Sequence, residues 1–287
     1  MTKRTSPLVS TADLAAAIAG PRPPVLLDVR WRLGGPPGRT DYDAGHLPGA
    51  VYLDLDTDLA AAPGDGGRHP LPEPAKLQRT LRAAGVRAGW PVVAYDADNG
   101  SIAARAWWLL RWAGHREVAV LDGGYAAWLA DGHPVTTQAA NPAPGDLEVR
   151  PGAMPSLDAG QAAELARAGH LLDARAPERY RGDTEPIDQK AGHIPGARNA
   201  PFAVHTGENG RWRTPAELAA HFAGLGVTPD RPVGVYCGSG VTAASVVLAL
   251  EHAGSTAPDA PAALYAGSWS HWCTSPARPV ATGEQPG

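Results

Sequence analysis

A single cysteine marks the stretch of this sequence that is best equipped for chemistry. Cys237 directly follows the apolar run 233–236 and is itself followed by Gly238, Ser239 and Gly240. A helical apolar pattern begins after this loop. The pattern predicts a buried strand, a tight loop and a helix. A thiol at that junction lies among unpaired backbone N–H groups at the positive end of a helix dipole, where a thiolate is stabilised. Cys237 is therefore predicted to be a nucleophile.

Composition limits what the rest of the chain can be. The 287 residues are 44% hydrophobic and 19% charged, which predicts a globular protein of about two domains. A net charge of -4 argues against nucleic acid as a partner. No apolar run reaches the ~20 residues that a membrane span needs, and residues 15–19 are too short for a signal-peptide core. We expect a cytoplasmic protein with no membrane contact.

The sequence repeats itself once. The matching segments are 26–30 with 171–175, 44–50 with 191–197, 92–96 with 233–237, and 123–128 with 267–272. Four matches in the same order indicate two copies of one domain. We place the first copy at residues 1–140 and the second at 150–287, joined by a proline-rich linker within residues 138–152.

Each copy alternates strand and helix patterns. This alternation predicts an α/β fold with a mostly parallel sheet flanked by helices in each domain. In such sheets, ligands bind at the carboxyl ends of the strands, which is where Cys237 is predicted to lie. The predicted strands include residues 50–55 and 92–95, and the predicted helices include residues 102–112 and 243–252.

The two copies differ at the position of the cysteine. The first copy has Asp96 where the second has Cys237. A carboxylate is not a soft nucleophile, and its charge repels an anion. The first copy is therefore predicted to be catalytically inactive. The other cysteine, Cys273, and the repeated His46 and His193 are predicted to be structural.

Together these features resemble the two-domain rhodanese superfamily of sulfurtransferases. The resemblance rests on the tandem domains, the repeated Gly-His-(Leu/Ile)-Pro-Gly-Ala, the inactive Asp96 copy and the Cys237 loop. The loop most resembles that of the 3-mercaptopyruvate sulfurtransferase branch. The resemblance implies a Cys237 persulfide. We expect the loop to hold its outer sulfur, and the candidate sulfur- and substrate-binding residues there are Gly238, Gly240, Val241 and Thr242.

The loop sequence bears on two other activities. A phosphatase loop with Cys-x5-Arg spacing needs an arginine at position 243, which is Ala243 here. Thiosulfate-preferring relatives carry basic residues just after the cysteine, and this loop has none. A neutral thiol donor with a distant carboxylate fits better, although a thiosulfate:cyanide sulfurtransferase stays an alternative.

The resemblance also implies residues outside the loop. Arg179 matches the arginine that binds the donor carboxylate, for which a planar guanidinium is suited. The family's second carboxylate arginine corresponds to Gln189, a departure for which Lys190 or Arg181 could compensate.

A proton relay completes the set of candidate catalytic residues. By the family pattern it consists of Asp56, His69 and Ser239, and histidine with a carboxylate partner suits proton transfer near neutral pH. The expected reaction is ping-pong: sulfur passes from the donor to Cys237 and then to cyanide or a thiol acceptor, with thioredoxin as one candidate. No metal or other cofactor is expected. A non-catalytic persulfide carrier or sensor is the alternative from a different class.

Overall fold

The computed structural model describes residues 6–287. Residues 1–5, which begin the predicted first domain, lie outside this range. The chain forms two compact units. The first unit comprises residues up to Ala60, Pro72–Met154 and Thr206–Trp212, and the second comprises Ala61–Leu71, Pro155–His205 and Arg213–Gly287. The short segment Ala61–Leu71 therefore belongs to the second unit, although it lies in the first half of the sequence.

The first unit is built on a parallel sheet with strand order β1-β5-β4-β2-β3. Its strands are β1 Leu8–Val9, β2 Val25–Asp28, β3 Val51–Tyr52, β4 Val92–Tyr95 and β5 Val118–Leu121. Its helices are α1 Thr11–Ile18, α2 Gly38–Ala44, α3 Pro74–Ala83, α4 Ala103–Trp112 and α5 Gly124–Ala130. Every residue of β4 is buried, and α4 packs against β4 and β5, so the uninterrupted apolar pattern marks the centre of the unit.

The second unit repeats this plan with a parallel sheet of order β7-β6-β8-β9. Its strands are β6 Leu171–Asp173, β7 Arg198–Asn199, β8 Gly234–Tyr236 and β9 Ala263–Leu264. Its helices are α6 Ala159–Arg167, α7 Pro177–Arg181, the 3₁₀ helix Phe202–His205, α8 Pro215–Gly224, α9 Thr242–Ala253 and α10 Ser268–Trp272. The predicted α/β fold with a parallel sheet in each copy is confirmed.

The repeated aspartates and histidines have matching structural roles. Asp173 is fully buried and pairs with Arg175 at 2.6 Å, as Asp28 pairs with Arg30 at 2.6 Å in the first unit. His46 and His193 are also fully buried, and each ring is stacked on a tyrosine, with its Nδ1 beside that tyrosine's carbonyl oxygen. Their predicted structural role is confirmed.

The structure differs from the sequence patterns in short elements. The strand predicted over 50–55 covers only Val51–Tyr52, because Asp54 accepts a hydrogen bond from the Thr57 N–H and turns the chain. Helices α2, α7 and α10, of seven, five and five residues, were not predicted, since so short a segment gives little helical periodicity. Within residues 6–287 there is neither a helix able to cross a membrane nor a cluster of side chains suited to a metal ion.

Candidate active site

Cys237 lies at the carboxyl end of β8, directly before the loop that leads into α9. Its side chain is buried, and its Sγ accepts a hydrogen bond from the Gly240 N–H at 3.1 Å. Val241 is buried and occupies the N-cap position of α9, and Thr242 is the first residue of the helix. The predicted strand, loop and helix are therefore present, with the sulfur turned into the loop.

The loop is tight because of a glycine. Gly240 has φ +80°, and a Cβ atom there would lie 2.4 Å from the Ala266 carbonyl oxygen. Only glycine combines this backbone conformation with such a close approach. Gly240 thus allows the backbone to fold back, and its N–H faces the Cys237 sulfur.

Ser268 holds the backbone of Cys237, the predicted nucleophile. Its Oγ accepts a hydrogen bond from the Cys237 N–H at 3.1 Å and donates to the Tyr265 carbonyl oxygen at 2.8 Å. Among residues 6–287 it is the only non-glycine residue with positive φ, +52°. The corresponding residue of the first unit is Gly124, with φ +55° and no room for a side chain, since a Cβ would lie 2.8 Å from the Asp96 carbonyl oxygen. Only the cysteine-bearing copy carries a hydroxyl in this strained conformation.

We expect two replacements of Ser268 to distinguish the cost of its strained backbone from its role in positioning Cys237. Ser268→Ala keeps the positive φ but leaves the Cys237 N–H without its acceptor, which costs about 1–3 kcal/mol of unfolding free energy. Ser268→Gly relieves about 1–2 kcal/mol of strain and offsets most of that loss. Both variants should form the Cys237 persulfide roughly tenfold to a hundredfold more slowly, because the nucleophile is less firmly placed. Urea denaturation and stopped-flow persulfide formation measure the two effects, and a Ser268→Gly variant with normal rates would contradict the positioning role.

The corresponding loop of the first unit holds an anion of its own. The Asp96 carboxylate accepts hydrogen bonds from the backbone N–H groups of Gly100, Ile102 and Ala103 at 2.8–3.0 Å. Burial raises the pKa of the Asp96 carboxyl, and these N–H groups act against that rise. The loop is thus filled by its own side chain, which agrees with the predicted inactivity of this copy.

Two of the predicted relay residues, His69 and Ser239, form a hydrogen bond with each other. His69 Nδ1 lies 2.7 Å from Ser239 Oγ, both side chains are buried, and both residues belong to the second unit. Ser239 is two residues from Cys237, so the pair lies at the Cys237 loop. Asp56 belongs to the first unit, where its carboxylate accepts a hydrogen bond from Trp31 Nε1 at 2.9 Å.

Arg179 lies beside the loop, held by two carboxylates. Its Nη2 lies 2.7 Å from Glu185 Oε1 and 3.2 Å from Asp188 Oδ2. A Cβ atom added to Gly238 would lie 3.4 Å from Arg179 Nη1. The guanidinium predicted to bind a carboxylate is therefore next to the residue that follows Cys237.

Arg68 is a site residue that the sequence analysis missed. Its Nη2 would lie 3.2 Å from a Gly238 Cβ, and its Nη1 is 2.7 Å from Asp188 Oδ1. A single arginine in a Gly-Pro-rich stretch has no pattern that identifies it, and its position next to His69 was the one available signal. The two expected substitutes for Gln189 are engaged elsewhere: Lys190 donates to the Ser275 carbonyl and Arg181 pairs with Asp183.

Cys273 lies in the apolar core of the second unit. It is 1% exposed and packs with Tyr236, Trp269 and Trp272. Both cysteines are free thiols. This placement agrees with the predicted structural role of Cys273.

Comparison with known proteins gives the class to which this fold and site belong. The model of the rhodanese-like domain matches residues 10–131 and again residues 158–275. The chain therefore belongs to the rhodanese family, with two copies of its domain, and the predicted sulfurtransferase class is confirmed by the relatives described next.

Relatives of similar length have names that refer to two different sulfur donors. A Pseudomonas aeruginosa protein named "Probable 3-mercaptopyruvate sulfurtransferase" is 46% identical, covering 96% of this chain and 98% of its own. "Putative thiosulfate sulfurtransferase SseB" of Mycobacterium tuberculosis is 44% identical, covering 99% of both chains. The solved structure of SseA from Escherichia coli, described as a 3-mercaptopyruvate sulfotransferase with the rhodanese fold, matches with a TM-score of 0.81 and 32% identity, covering 93% of this chain and 100% of SseA.

Proposed function

We propose that this sulfurtransferase takes sulfur from 3-mercaptopyruvate, carries it as a persulfide on Cys237 and passes it to a thiol. The observation that carries the proposal is the surroundings of Gly238: the Cys237 sulfur belongs to the preceding residue of the same loop, and the guanidinium groups of Arg179 and Arg68 lie beside Gly238. This arrangement suits a donor with a reactive sulfur at one end and a carboxylate at the other.

The first half-reaction moves one sulfur atom. The Cys237 thiolate attacks the thiol sulfur of 3-mercaptopyruvate, an S–S bond forms, and the C–S bond breaks with its electron pair leaving on carbon as the enolate of pyruvate. The proton of the substrate thiol ends on the methyl carbon of pyruvate. Ser239 and His69, 2.7 Å apart, form the path along which that proton leaves the sulfur, with Asp56 as the proposed third member.

The persulfide then needs a site that stabilises a terminal sulfur anion. We assign this role to the loop Gly238–Thr242, whose Gly240 N–H already donates to the Cys237 sulfur. In the second half-reaction an acceptor thiolate attacks the outer sulfur, and the Cys237 thiolate leaves. Cyanide serves as acceptor in an assay, and a dithiol such as thioredoxin is the proposed acceptor in the cell. The cytoplasmic location of this protein stays a prediction.

The proposed division of labour follows the repeat. The copy within residues 1–140 is the non-catalytic domain, since Asp96 fills its own loop, and the copy within 150–287 is the catalytic domain. The segment Ala61–Leu71 adds His69 and Arg68 to the second unit.

Thiosulfate is the second candidate donor. The Mycobacterium tuberculosis relative, at 44% identity, carries that name, and two guanidinium groups beside the loop could also attract a dianion. The absence of basic residues within the loop itself favours 3-mercaptopyruvate.

A two-donor comparison tests the choice. We expect kcat/KM for 3-mercaptopyruvate to exceed that for thiosulfate by at least about a hundredfold, a difference of about 2.7 kcal/mol in transition-state binding. Steady-state rates with one acceptor at a fixed concentration provide both values. Equal or better turnover of thiosulfate would overturn the donor assignment while leaving the sulfurtransferase class in place.

A further inference from the structure

Two guanidinium groups converge on Gly238 in the second unit. Arg68 Nη2 would lie 3.2 Å, and Arg179 Nη1 3.4 Å, from a Cβ atom added there. The two side chains come from distant parts of the sequence and are 21% and 17% exposed, so they remain accessible to a ligand. Two cationic groups thus flank the residue that follows Cys237.

Asp188 sets the orientation of both groups. Its Oδ1 lies 2.7 Å from Arg68 Nη1 and its Oδ2 lies 3.2 Å from Arg179 Nη2, and the side chain is 5% exposed. Each arginine therefore gives one terminal nitrogen to Asp188 and turns the other toward Gly238. Those two nitrogens, Arg68 Nη2 and Arg179 Nη1, make no hydrogen bond within residues 6–287.

The charges around these nitrogens are balanced. The arginines at 68, 175 and 179 face Asp173, Glu185 and Asp188, so the cluster holds three cations and three anions. The cluster has no net charge, and two of its guanidinium nitrogens can still donate hydrogen bonds to a ligand. Such a cluster is better matched to a singly charged carboxylate than to a dianion. A carboxylate can accept one hydrogen bond on each oxygen from two separate guanidinium groups.

We propose that Arg68 is a substrate-binding residue that, together with Arg179, holds the donor carboxylate above Gly238. Asp188 is a positioning residue that aims both guanidinium groups. The inference rests on the proposed function, because it names the group that recognises the carboxylate of that donor. It also explains how the site tolerates Gln189, since a second cation arrives from the segment Ala61–Leu71 instead.

Substitution of Arg68 by lysine is the sharpest test. Lysine keeps a positive charge for Asp188 but has a single amine, so it cannot serve Asp188 and the donor in the same geometry. We expect the KM for 3-mercaptopyruvate to rise about tenfold in Arg68→Lys and about tenfold to a hundredfold in Arg68→Gln, as for the loss of one charge-assisted hydrogen bond. The kcat should change less than about threefold, because the lost contact is present in both ground state and transition state. Arg150→Gln, an exposed arginine paired with Glu148, is the matched control and should leave both values unchanged.

A binding measurement separates this inference from the proposed function. Pyruvate keeps the donor carboxylate without the sulfur, and its affinity, measured by calorimetry, should fall about tenfold in Arg68→Lys. Normal KM and normal pyruvate affinity in a folded Arg68→Lys variant would overturn the role of Arg68 and leave the donor assignment intact. Wild-type protein that fails to use 3-mercaptopyruvate but loses pyruvate affinity on Arg68→Lys would overturn the proposed function and retain the carboxylate site. Wild-type protein that binds no pyruvate would refute the carboxylate site.

Discussion

The Cys237→Ser variant is expected to lose sulfur transfer by about five orders of magnitude or to below detection. A serine hydroxyl at this position is neither ionised near neutral pH nor able to hold a persulfide, so both half-reactions lose their covalent partner. The fold should survive, since serine has the shape of cysteine with a smaller terminal atom, and the Gly240 N–H can donate to its oxygen as it does to the sulfur. Steady-state assays and intact mass after incubation with the donor, which detects the gain of one sulfur atom, measure the loss.

The inactive copy provides the matched control for this prediction. Asp96→Cys should not create a second site, because the loop of the first unit runs through residues 97–102 before α4 starts, whereas that of the second runs only through 238–241 before α9. The paired protein Cys237→Ser/Asp96→Cys should therefore be as inactive as Cys237→Ser alone. Recovery of transfer in the double variant, or substantial activity in Cys237→Ser, would refute the assignment of the nucleophile.

His69→Asn is expected to slow turnover of 3-mercaptopyruvate by about 10²–10⁴-fold. Asparagine can keep a hydrogen bond to Ser239 but cannot take up and release a proton, which is the contribution that general acid–base catalysis makes. Ser239→Ala should show a similar loss, and the double variant should be little worse than either, since the two residues act as one path.

The donor itself supplies the control for the relay. Thiosulfate has no proton on the sulfur that is transferred, so any turnover of thiosulfate should fall less than about tenfold in His69→Asn. The rate of persulfide formation with each donor, followed in a single turnover, compares the two directly. Equal losses with both donors would show that His69 supports the structure of the loop and does not transfer a proton.

Most of the second unit's site was predictable because it is local in sequence. The strand that ends at Cys237, the glycine at 240 and the start of the helix follow one another within a few residues, and their pattern predicts the turn that the structure shows. The repeat added the prediction that the first copy is inactive, because Asp96 at the cysteine position changes the chemistry whatever the packing. The family resemblance then indicated Arg179, His69 and Ser239.

The remaining features depend on contacts between residues far apart in sequence. Ser268 is 31 positions from Cys237, and nothing in its sequence surroundings shows that its hydroxyl accepts the Cys237 N–H. Arg68 is farther still from Gly238, and its partner Asp188 had no assigned role. Such pairings are set by tertiary packing, which sequence periodicity does not encode.

The sequence by itself determined the class of fold and the duplication, and it predicted the nucleophile and the inactive copy, because each depends on residue type within a short stretch. Only the tertiary structure decided which cations face the nucleophile's loop. The loop contains no basic residue, yet Arg68 and Arg179 converge on Gly238. The reason is physical: charge acts through space, so the electrostatic character of a site is set by which side chains the fold brings to it.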